Sequence, residues 1–289
     1  MIMKNNFLKK YTTEIDLFIK SSLKEDIGKG DISSLSCLNN DIMSTVELIS
    51  NESCIIAGIE LTKRIIKKKN TSIILKSYVK DGDYVIPNEK IFLLNGPQLD
   101  ILSIERLILN CIQRMSGVAT LTNKLSNKIS HTACKLLDTR KTTPNFRYPE
   151  KWAVIIGGGL NNRMGLFDAI MIKDNHVDFC KSITSTLKKT EKFLIKNQND
   201  IPVIVETRNL NEIKECFAFP WIKRILLDNM NLNQLKKAVK LINKEFEIEA
   251  SGNIDEKNIV KIAETGVDFV SLGALTHSYK NIDLTIRVI

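Results

Sequence analysis

The chain has 289 residues, 43% apolar and 26% charged, with a net charge of +9. That length can bury one large core or two smaller ones, and no apolar run approaches the ~18 residues that span a membrane, so no membrane partner is expected. The first ten residues are charged with no apolar region after them, which argues against a secretory signal and for a cytoplasmic location.

A helix is predicted over roughly Lys9 to Lys24. Strand-like runs follow at 44–50, 72–79 and 90–95, with turn signals at Asp81-Gly-Asp83 and Asn95-Gly-Pro97. Together they predict a small α+β domain with an antiparallel sheet. From Ile101 to about Lys128, Ile104, Leu107, Ile108, Cys111, Ile112 and Met115 form an apolar stripe at helical spacing. Ser103, Arg106, Asn110, Gln113 and Gly117 fall on a separate, polar face. Lys67–Lys69 and Lys188-Lys189 read as solvated helix faces, with neither aromatic interleaving nor a nucleic-acid motif, so no nucleic-acid partner is expected. Six scattered cysteines without a CxxC read as reduced core thiols.

The second half changes character. Short apolar runs each end in polar or glycine residues, at 135–140, 168–173, 202–206, 224–228, 247–251 and 268–273, with helices predicted at 231–245 and 255–265. Repeated strand–helix units with functional groups at the strand ends are the pattern of a parallel α/β barrel. Only about six strands are visible, so the barrel is expected to be incomplete. No GxGxxG follows a first strand, which argues against a dinucleotide-binding sheet.

Arg140-Lys141, Arg163 and Lys173 lie at or after successive strand ends. Cations converging on one mouth repel each other unless an anion sits between them; Arg grips a carboxylate with a planar fork and Lys supplies a compact charge. Glu206 and Asp228 end neighbouring strands and suit Mg2+ held jointly with substrate phosphates, or else a structural ion pair. Ser251-Gly252-Asn253 and Ser271-Leu-Gly273-Ala274 close the last two strands, where barrels bind phosphate, the first ahead of a helix. Asn229 and Met230 read as ordinary loop residues. His131, His176 and His277 form no triad or HExxH pattern and are read as structural.

Taken together the motifs resemble one known family, nicotinate-nucleotide pyrophosphorylase (carboxylating), also called quinolinate phosphoribosyltransferase. The resemblance rests on Glu25-Asp-Ile-Gly-Lys-Gly-Asp31, Glu105-Arg-Leu-Ile-Leu-Asn110, Ser116-Gly-Val-Ala-Thr120, Asp138-Thr-Arg-Lys-Thr-Thr-Pro144 and Gly157-Gly-Gly159. It continues through Lys173-Asp-Asn-His176, Leu227-Asp-Asn229, Ala250-Ser-Gly-Asn253 and Ser271-Leu-Gly-Ala-Leu-Thr276. It implies an amino-terminal α/β sandwich over 1–117, an open α/β barrel of the type II phosphoribosyltransferase kind over 118–275, and a segment 276–289 returning to the first domain. It also implies transfer of phosphoribosyl from phosphoribosyl pyrophosphate to quinolinate with decarboxylation, and Mg2+ as cofactor. The implied assembly is a homodimer with shared sites, with further association left open.

By the same resemblance, Arg106 reaches the partner's site. Arg140, Lys141, Asn162, Arg163 and Lys173 bind quinolinate, and Lys173, Glu206 and Asp228 carry catalysis, the last two with the metal. Ser251, Gly252, Asn253, Ser271, Gly273 and Ala274 bind the phosphate end. Three residues depart from the family pattern: Asn162 stands where His is usual, Ile204 where a Glu-x-Glu begins, and Asn145 where glycine follows Thr-Pro. The residues alone leave two other readings, a same-fold enzyme for another anionic acceptor and a non-enzymatic basic binding protein. Paired carboxylates at the strand ends disfavour the second, because nucleic-acid binding has no need of them.

Overall fold

The computed structural model describes residues 2–39, 42–198 and 200–289. In chain order the elements begin with α1 (Ile2–Lys10), α2 (Thr12–Ile27), α3 (Ile32–Cys37), β1 (Met43–Ser50), β2 (Cys54–Ile55), α4 (Ile59–Lys69), β3 (Ile74–Ser77), β4 (Tyr84–Val85), β5 (Lys90–Pro97) and α5 (Gln98–Lys128). They continue with β6 (Lys135–Leu137), α6 (Arg147–Ile156), β7 (Ile170–Ile172), α7 (Asp174–Cys180), α8 (Ile183–Asn197), β8 (Val203–Thr207) and α9 (Leu210–Cys216). The last are β9 (Arg224–Asp228), α10 (Leu232–Ile242), β10 (Glu247–Ser251), α11 (Ile259–Ala263), β11 (Phe269–Ser271), α12 (Ala274–His277) and β12 (Leu284–Val288). Among the described residues no helix is long and apolar enough to cross a membrane. The chain divides into two compact units: Met1–Asn123 with Lys141–Gly158 and Leu275–Ile289, and Lys124–Arg140 with Gly159–Ala274.

The first unit is built on an antiparallel sheet ordered β12-β1-β5-β3. The amphipathic α4 buries Ile59, Leu61, Thr62, Ile65 and Ile66, and its last turn carries Lys67, Lys68 and Lys69 toward the negative end of its dipole. Asp81 caps its start, accepting from the N–H groups of Gly58, Ile59 and Glu60. Trp152 of α6 is buried and stacks on Phe7, with ring centroids 5.7 Å apart. The polar face expected on α5 is partly covered. Gln113 donates to the Leu284 carbonyl and its own carbonyl accepts from Ile282, while a Cβ on Gly117 would lie 2.2 Å from the Lys280 carbonyl oxygen. The carboxyl-terminal segment runs against that face, so its polar groups serve packing as well as solvent.

The second unit holds one six-stranded sheet ordered β6-β11-β10-β9-β8-β7, parallel throughout. β8 is buried at all five positions, as a strand covered on both faces requires. The sheet is open: β6 and β7 end the order, and the free edge of β6 bridges Leu160 from Leu137. Ser182, Asn209 and Asn231 cap α8, α9 and α10 through their side-chain oxygens. The helix expected over 255–265 contracts to α11, Ile259–Ala263. The Ser251 loop is therefore not followed directly by a helix amino terminus.

Candidate active site

Alternate side chains on a strand share one face of the sheet. Glu247, Glu249 and Ser251 pair with Arg224, Leu226 and Asp228, and Phe269 pairs with Glu249. Ile204 and Glu206 pair with Arg224 and Leu226, and Met171 pairs with Ile204. One face therefore carries Glu206, Asp228, Ser251 and Ser271 toward the carboxyl ends of four strands. Lys173, two residues beyond Met171, continues that face just past β7.

Lys173 Nζ donates to Glu206 Oε2 at 2.5 Å, and Glu206 is buried. The Lys173 backbone N–H donates to His176 Nδ1 at 2.9 Å, so this histidine fixes the start of α7 behind the lysine. Arg163 donates to the Ala169 carbonyl, and burial together with the neighbouring Arg140 guanidinium pulls its pKa below the ordinary value, against the opposing effect of Asp168. Two guanidiniums this near to each other favour an anion between them. Asp168 shapes the loop beyond, accepting from the N–H groups of Met164 and Gly165.

Asp138, fully buried, accepts from Asn161 Nδ2 at 2.6 Å and from the Asn162 N–H at 2.9 Å. The Asn162 side chain in turn donates to Glu249 Oε1 and accepts from the Arg163 N–H. Glu249 is also held by Arg224, which lies over the Phe269 ring. Asp138 and Glu249 hold the 161–163 loop through these hydrogen bonds, and the sequence reading missed both. The only signal for Asp138 was its position inside the Asp-Thr-Arg-Lys motif.

Asn229 also proves more than a loop residue. Its φ is 52°, its N–H donates to the Ser251 carbonyl, and its side chain donates to Asp228 and accepts from Asn253. It thereby ties the Asp228 carboxylate to the Ser251 loop. Gly252, at φ 90°, passes so close that a Cβ would lie 2.2 Å from Asn229 Oδ1. Gly273 and Ala274 are half-buried just after β11 and the buried Ser271.

Glu206 and Asp228 are hard oxygen donors on neighbouring strands and one face. Among the described residues no three His, Cys, Asp or Glu side chains cluster as a metal site. That set fits Mg2+, which takes one or two protein carboxylates and completes its shell with water and substrate phosphates. The other two predicted residues lie in the first unit. Lys141 lines a pocket of about 650 Å³ with Arg114, Thr143, His277, Tyr279 and Lys280, and Arg106 is exposed on α5.

The chain matches the family description Quinolinate phosphoribosyl transferase, N-terminal domain, over residues 31–116, and its C-terminal domain over 118–287. It is 40% identical to nicotinate-nucleotide pyrophosphorylase (carboxylating), chloroplastic, of Oryza sativa, over 96% of this chain and 78% of that one. It is 37% identical to a probable nicotinate-nucleotide pyrophosphorylase (carboxylating) of Bacillus subtilis, over 91% and 90%. The structure of the nicotinate-nucleotide pyrophosphorylase from Francisella tularensis superposes with a TM-score of 0.87 at 40% identity, covering 96% of each chain.

Proposed function

The chain belongs to the quinolinate phosphoribosyltransferase family, and from that premise we infer how its residues divide the work. It transfers phosphoribosyl from phosphoribosyl pyrophosphate to quinolinate with decarboxylation, a step of NAD biosynthesis. The observation that carries the site reading is the strand register, which supports one polar face from Lys173 through Glu206 and Asp228 to Ser251 and Ser271.

Arg140 and Arg163 grip the two acceptor carboxylates, and Lys173 adds a compact charge beside them. Held this way, the pyridine nitrogen faces the ribose as a pre-oriented nucleophile. As the leaving group departs, positive charge develops on the ribose, and the carboxylates of Glu206 and Asp228 stabilise it. The same two carboxylates would also hold Mg2+, which would supply charge neutralisation for the departing pyrophosphate. Once alkylated, the ring nitrogen stabilises the electron pair left at the adjacent carbon when carbon dioxide leaves, and that carbon then takes a proton from water, so no covalent protein nucleophile is needed. The Ser251–Asn253 and Ser271–Ala274 loops offer small residues and backbone N–H groups to the 5-phosphate. Lys141 supplies an anion-binding ammonium within its own pocket, and Arg106 is assigned to the site of a second copy in a homodimer. A cytoplasmic setting belongs to the same proposal and is supported by six free cysteines.

The test is an assay of purified protein with quinolinate, phosphoribosyl pyrophosphate and Mg2+, run beside nicotinate as a competing acceptor. Turnover of quinolinate that vanishes with chelator and returns with Mg2+ is expected. Turnover undiminished by chelator would remove the metal from the proposal.

A further inference from the structure

One chain of contacts ends on Arg163 and begins at Arg224 and Glu249, two residues that touch no substrate in the reading above. Arg224 is mostly buried and lies over the Phe269 ring, with its guanidinium carbon 4.1 Å from the centroid. Its Nη1 donates to Glu249 Oε2 at 3.0 Å, and its Nε donates to Glu247 at 3.0 Å. Glu249 is fully buried, and its other oxygen accepts from Asn162 Nδ2 at 3.1 Å. The Asn162 side-chain Oδ1 accepts from the Arg163 N–H at 2.9 Å. Each member is fixed by the one before it, and Ile204, across from Arg224, adds no competing carboxylate.

We propose that Glu249, braced by Arg224, is a positioning residue that sets the backbone of Arg163 through the side chain of Asn162. The proposal rests on the reading of Arg163 as a quinolinate-binding cation. A carboxylate is required because two donors, Arg224 and Asn162, approach its two oxygens, and an amide offers only one acceptor. A glutamine at this position must leave one donor unmet or turn its own NH2 against one. The strand would survive such a change, but the orientation of Asn162 would not.

The test is calorimetric binding of quinolinate and of phosphoribosyl pyrophosphate, with steady-state kinetics, on Glu249→Gln, Asn162→Ala and the double variant. Glu249→Gln should weaken quinolinate binding about tenfold, the loss of one charge-assisted hydrogen bond, while phosphoribosyl pyrophosphate binding stays within about twofold. The double variant should bind quinolinate no worse than Asn162→Ala alone, because both changes cut the same chain of contacts. If Glu249→Gln does not fold, Glu249→Asp keeps the charge beside Arg224 but draws the carboxylate back by one methylene, and carries the same expectations. Equal weakening of both ligands, unchanged quinolinate binding, or multiplying effects in the double variant would each overturn the proposal. Arg163→Ala separates the two levels. If it leaves quinolinate affinity intact, the site reading fails. If it removes that affinity while Glu249→Gln does not lower it, only the positioning role fails.

Discussion

At the scale of single residues, the site rests on a few charged groups whose partners are other site residues. Lys173 is the clearest case, because its partner Glu206 is buried and is itself proposed to act at the ribose. Lys173→Ala and Arg140→Ala should each weaken quinolinate binding by roughly 1.5–3 kcal/mol, the worth of one hydrogen bond to a charged group, and phosphoribosyl pyrophosphate binding by less. Titration calorimetry decides this, and equal losses for both ligands would remove these cations from the acceptor clamp. Asn162 is the departure most open to experiment. A histidine there can still reach Glu249 with a ring N–H, so Asn162→His should fold normally and keep or raise turnover. A clear fall in turnover at unchanged melting temperature would show that the surrounding loop has adapted to asparagine. The sequence revealed the cations and carboxylates because their charge stands out at strand ends. It concealed Asp138, Asn229 and Glu249, whose importance lies in whom they touch, and a contact between residues 162 and 249 leaves no local trace.

At the scale of elements, all six barrel strands were legible, because a strand buried on both faces reads as an apolar run with a polar end. The long α5 was legible from its stripe, and the antiparallel sheet from its alternating runs and turn residues. The helix α6 was not, since Pro149 in its first turn and the preceding Asn145 resemble a loop, and tertiary burial of Trp152 decides the matter. Helix α11 was overextended, because 255–258 carry helical composition but turn against Asp255, which accepts from Lys257 and Asn258. The polar face of α5 also misled: glycine at 117 is explained by the closeness of the Lys280 carbonyl. Gly117→Ala should therefore destabilise the protein by about 1–3 kcal/mol through overpacking, read as a lowered melting temperature. A melting temperature equal to that of the parent would mean that the 280–284 segment can yield without loss.

At the scale of the whole molecule, stability should follow the carboxylates. The hydrogen bond from Arg64 holds Asp16 below the usual carboxylate range, and Lys90 and Arg287 do the same for Glu47. A depressed pKa means that the unfolded chain binds more protons than the folded one, so this stabilisation is present above about pH 4 and drains away as pH falls through the native values. Burial raises the pKa of Glu150, whose contribution has the opposite sign: greatest in acid, and lost as pH rises through its raised value. Burial raises Asp81 as well, but more carboxylates are lowered, Asp31, Glu52 and Glu256 besides these two, so the melting temperature should fall on acidification, and a flat profile below pH 4 would contradict that balance. Assembly has its own test. If Arg106 serves a second copy, mixing inactive Arg106→Ala and Lys173→Ala homodimers should restore about a quarter of the parent activity, one working site in each of half the dimers under C2 pairing. No recovery with heterodimers confirmed by native mass spectrometry would assign Arg106 to its own chain or to neither site. The central claim is that one mouth joins an acceptor dicarboxylate to phosphoribose and then sheds carbon dioxide from it. The most direct measurement uses quinolinate labelled in the carboxylate beside the ring nitrogen, counting labelled carbon dioxide against nicotinate mononucleotide formed. The account predicts equal amounts of the two, with no turnover of nicotinate in place of quinolinate, whereas nucleotide formed without labelled carbon dioxide, or from nicotinate equally well, would contradict it.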